Sequence, residues 1–83
     1  MKPSRAQVVE LLELAHGYAL LGSIMPFKTA CVELNLIGSD AAKAAAAAID
    51  RARDEAGLPA KPNPRAYCEA IATALERVEK GDW

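Results

Sequence analysis

Gly38–Pro59, GSDAAKAAAAAIDRARDEAGLP, is the stretch that decides the fold. Ser39 stands where a side-chain oxygen can cap the free backbone N–H groups of a helix, and Asp40 follows at the positive end of the helix dipole. Gly57 and Pro59 forbid continuation at the other end. Between these signals runs Ala44 to Ala48, made of the strongest helix former, which offers a neighbour nothing larger than a methyl group. A helix with so little bulk gains packing only when other helices approach it closely. The stretch therefore predicts a tight helical bundle, with Ala42, Ala45, Ile49, Ala52 and Ala56 inward and Lys43, Ala47, Asp50 and Asp54 outward.

Upstream, Pro26 suits the first turn of a helix running to Ile37, ahead of Gly38. Phe27, Ala30, Cys31 and Leu34 form its i, i+3, i+4, i+7 stripe, and Lys28, Thr29, Glu33 and Asn35 turn away. Downstream, the link Leu58 to Asn63 is stiffened by Pro59 and Pro62. Asn63 then caps a last helix with Pro64 at its first position, and Tyr67, Ile71, Ala74, Leu75 and Val78 share one face until Gly81. Glu76 and Lys80 add an i, i+4 pair in the favourable order.

The first helix opens with Ser4 and Gln7 at capping-box spacing and is expected to end at Leu21, with Gly22 as its left-handed cap. Leu11, Leu12, Ala15, Tyr18 and Ala19 make one face. Val9 and Leu20 lie on one flank and Leu14 and Leu21 on the other, so that only Glu10, Glu13 and Gly17 form a polar strip. A helix apolar over so much of its circumference is either central in the bundle or shared with a second molecule. With no strand-like alternation and no repeat, residues 1–83 read as a single all-α domain: a compact four-helix bundle of short helices with a Pro-rich link before the last one.

Eighty-three residues stand near the lower limit at which one core suffices, so a partner subunit would help. With 52% hydrophobic and 25% charged residues the chain is of ordinary globular composition. Ten basic against eleven acidic residues give no general attraction to phosphate or to anionic lipid. Glu10 and Glu13 break the apolar stretch that an export signal or a membrane span would need, so a cytoplasmic protein with no membrane partner is expected. Its richness in alanine, with arginine well represented, has the style of a GC-rich bacterial genome.

Motifs for chemistry are sparse. Cys31 and Cys68 match no redox or zinc spacing, and both fall on apolar stripes, as reduced, buried thiols do. His16 has only Glu13 as an ionisable helical neighbour. The carboxylate pairs Asp54 with Glu55 and Glu10 with Glu13 fall on solvated faces. No glycine loop for phosphate and no serine beside a histidine is present, and an enzyme, a cofactor and a metal are not expected.

Two binding readings are left. A helix-turn-helix over residues 27–56 has suitable lengths and a glycine in its turn, and would use Ser39, Lys43 and Arg51 on DNA. Its leading end, however, presents Asp40, Ala41, Ala42, Lys43 and Ala44, where a base reader carries Arg, Lys, Asn, Gln or Ser, and aspartate there would repel phosphate. Nucleic acid is therefore not the expected partner. The favoured reading is a small interaction module, an adaptor, regulator or inhibitor, that binds a larger protein or a second copy through Val9, Leu14, Leu20, Leu21 and Trp83. Trp83 either folds back on the last helix or anchors an interface.

Overall fold

The computed structural model describes residues 3–58 and 63–83, and among these the chain forms four α-helices and no strand. They are α1 Arg5–Leu20, α2 Pro26–Glu33, α3 Asp40–Ala56 and α4 Pro64–Glu79. The Pro59–Pro62 part of the expected stiff link lies outside the described residues.

Side-chain caps start three of the helices where the sequence puts them. Ser4 Oγ accepts from the Gln7 backbone N–H at 3.1 Å, Ser39 Oγ from Ala42 at 3.1 Å, and Asn63 Oδ1 from Ala66 at 3.2 Å. Ser39 does more, because its hydroxyl also donates to the Leu36 carbonyl at 2.5 Å and so ties the α2–α3 connection to the helix it starts. Ser39→Ala is expected to lower stability by about 1–2 kcal/mol, at the upper end for a cap because both bonds go. Urea unfolding of this variant beside Ser4→Ala measures the difference.

All four helices end in the same way. The residue in the left-handed region and the one after it donate back to the last turn: Gly22 to Ala19 and Ser23 to Tyr18, Asn35 to Val32 and Leu36 to Cys31, Gly57 to Asp54 and Leu58 to Arg53, Gly81 to Val78 and Asp82 to Arg77. This double bond pattern satisfies carbonyls that would otherwise face no donor. It corrects the expected end of the second helix. Asn35 takes the left-handed role with φ of 56°, and α2 stops at Glu33 rather than at Ile37. Asparagine tolerates that conformation, so the stop comes before Gly38, which makes a second turn of its own.

α1 is the hub, packing against α2, α4 and α3, while α3 packs on α4 as well. Its buried Val8, Leu11 and Leu12 supply bulk to a core shared with alanines from all four helices, among them Ala15, Ala30, Ala45, Ala70 and Ala74. Large residues of one central helix thus fill the space that small residues on its neighbours leave. Val8 extends the α1 stripe a turn earlier than expected, and Ala41, Ala66 and Ala70 join the core. Tyr18, Ala19, Tyr67 and Leu75 are only half-buried at its edge. Ala56, expected inside, is exposed: it has the right angle on α3 but sits in the last turn, beside the Gly57 stop.

Candidate functional site

Beyond the core, large apolar side chains gather at the α1–α2 corner. Leu20 is 68% exposed, Leu21 83%, Ile24 97% and Met25 54%. Val32 on α2 and Ile37 before α3 are exposed as well. The local chain explains the corner. Leu20 and Leu21 lie on the side of α1 away from the Leu11–Leu12–Ala15 stripe, and Gly22 then turns the chain at φ of 84°. Ile24 and Met25 fall between that stop and the α2 start at Pro26, where neither helix draws them inward.

Beside this corner runs an open groove of about 550 Å³ between the α1–α2 turn and the start of α4, with Arg53 of α3 on its border. Buried Pro26 and half-buried Ala19, Phe27 and Tyr67 line it, together with exposed Ile24 and Met25. Among the described residues, its charged lining residues are Lys28 and Arg53. Arg53 also holds Asp50 at 2.6 Å, whereas Lys28 pairs with no carboxylate among the described residues. Burial pushes the Tyr67 phenol above its usual range, and the nearby Arg53 guanidinium partly opposes the shift. A second phenol fixes the corner itself: Tyr18 on α1 donates to Glu33 Oε1 on α2 at 2.5 Å. That bond, made to a carboxylate, raises the Tyr18 pKa.

The residues nominated from sequence do not form one patch. Leu20 and Leu21 belong to the corner, but Val9 and Leu14 are half-buried against the core. Trp83 is half-buried too, and lines a hollow of about 170 Å³ with Pro3, Ala44, Ala47, Ala48 and Arg51. Ile24, Met25, Val32 and Ile37 were missed. A signal for the first two was present, since they are large aliphatics placed between a helix stop and a helix start, outside any stripe.

The three residues nominated for DNA are also dispersed. Ser39 spends its hydroxyl on the cap, Lys43 is exposed, and Arg51 lies about 12 Å further along the helix, 4.0 Å from Asp82. α2 packs on α1, and α3 on α4 and α1, so α2 and α3 share no broad interface of the kind a helix-turn-helix has.

Cys31 is buried, which pushes its thiol pKa up, and Cys68 is half-buried rather than buried as expected; neither forms a disulfide. His16 is half-buried, and among the described residues no three His, Cys, Asp or Glu side chains converge to hold a metal ion. Glu10, Glu13, Asp54 and Glu55 are all exposed, Glu55 in an ion pair with Arg77. Among the described residues no helix is long and apolar enough to cross a membrane. No family model, curated protein or solved structure matches the chain.

Proposed function

We propose that this chain is a protein-interaction module, an adaptor, regulator or inhibitor without catalysis of its own, that docks on a larger protein through the α1–α2 corner. One observation carries the reading. Leu20, Leu21, Ile24 and Met25, four large aliphatic side chains within six residues, are all more than half exposed in a chain whose core is otherwise built largely of alanine. Single exposed apolar residues are ordinary on any surface, but four within six residues of chain, two of them lining a groove, are costly to leave in water and support a contact site. A homodimer uses the same cluster, with a second copy as occupant.

The test is a pull-down from the native host, with light scattering of the purified protein alone. The double variant Leu21→Glu with Ile24→Glu is expected to keep its helical circular dichroism, since both positions are exposed, and to lose about tenfold or more in partner affinity. Lys43→Ala should leave that contact intact. Retention of every partner by the double variant, together with a sequence-specific DNA complex abolished by Lys43→Ala, would falsify the reading in favour of helix-turn-helix binding.

A further inference from the structure

We infer that the groove beside the α1–α2 corner takes an acidic amphipathic helical segment of a partner protein, its apolar face on Ile24, Met25 and Phe27 and its carboxylates toward Lys28 and Arg53. The inference rests on the interaction-module reading and adds the chemistry of the partner.

The charge of the groove is its first support. The chain as a whole carries slightly more acid than base, yet among the described residues the two charged side chains lining this groove are both cationic. Lys28 has no carboxylate partner among the described residues, and Arg53, bound to Asp50 through one nitrogen, keeps further N–H donors. An apolar channel with cations at its border complements a helix with an aliphatic face at i, i+3, i+4 spacing flanked by acidic residues, and repels one whose polar face is basic. Size is the second support. Ile24 lines the groove yet is 97% exposed, so whatever covers it has to extend well beyond the 550 Å³ of the channel. A small ligand held in a pocket buries most of its own surface, whereas a helix laid across the opening also covers the lip.

Two synthetic helical peptides test the inference. Both carry the same leucine face, and their polar faces are glutamate in one and lysine in the other. Each is titrated into the 15N-labelled full chain to millimolar concentration and followed by amide shifts. The expected result is that the glutamate peptide moves the amides of Ile24, Phe27, Lys28, Arg53 and Tyr67, binds about tenfold tighter than the lysine peptide at low salt, and loses that advantage as salt is raised. Lys28→Glu, an exposed position outside the core, should remove or reverse the preference.

Equal or tighter binding of the lysine peptide overturns the inference, as does the absence of shifts at these amides. Decanoate moving the same amides at lower concentration than the peptide assigns the groove to a small carboxylate instead. Shifts of these amides on simple dilution assign it to a second copy. The two readings fail separately. Partner capture that survives Leu21→Glu with Ile24→Glu removes the corner as a docking surface, whereas capture lost in that variant with no preference between the peptides removes only the acidic partner.

Discussion

Leu12→Ala is expected to lower the free energy of unfolding by about 2–5 kcal/mol, in the upper part of that range. Leu12 is fully buried in α1, the helix that packs against the other three. The cost of such a change depends on how far the surroundings collapse into the hole. The core cluster that holds Leu12 is rich in alanines, Ala30, Ala45, Ala70 and Ala74 among them, and an alanine has no rotamer by which to reach inward. Only a shift of whole helices can fill the space, so most of the cavity persists. For a chain of this length total stability is on the order of 4–12 kcal/mol, which makes the loss a large share of what holds the fold. Urea unfolding followed by circular dichroism measures it. A loss below about 1 kcal/mol would show that α1 is not the hub described.

Bulk added to α3 is the second large effect. Ala45 is fully buried, and Ala45→Leu forces added methylenes into a close helix contact at a cost of about 1–3 kcal/mol. In a domain of this size each kcal/mol lowers the melting temperature by about 4–8 °C. The control is Ala47→Leu, two residues on and exposed. Ala47 lines the small hollow under Trp83, so a leucine there has room and is expected to change the melting temperature little, or to raise it slightly by filling the hollow. Thermal melts of the two variants decide the matter, and equal destabilisation at both positions would mean that the two faces of α3 are wrongly assigned.

Much of this architecture is legible before any coordinates are consulted. The caps Ser4, Ser39 and Asn63 and the left-handed stops Gly22, Gly57 and Gly81 all take the places that their residue types demand. The inward stripes follow from helical spacing, as with Ala42, Ala45, Ile49 and Ala52 on α3 and Ile71, Ala74 and Val78 on α4. The proposed docking corner is legible only in part. Leu20 and Leu21 are visible as residues off the α1 stripe, but whether Val9 and Leu14 reach water depends on which neighbours stand on each flank, and helical angle alone does not contain that.

What the sequence determined by itself is therefore the set of local choices: where all four helices start, where three of them stop, and which faces are apolar, because these are set by hydrogen bonds and rotamer limits within a few residues of chain. Where Asn35 rather than Gly38 ends α2, the same local chemistry had two acceptable positions, and the structure uses the earlier one. Tertiary structure decided the rest. It placed Trp83 on a hollow that α3 residues also line, left Ala56 beyond the core, half-buried Val9 and Leu14, and put Lys28 and Arg53 from different helices on one groove. Each of these depends on the length, offset and crossing of helices distant in the chain, and a pattern of residues along one helix carries no record of what lies opposite it.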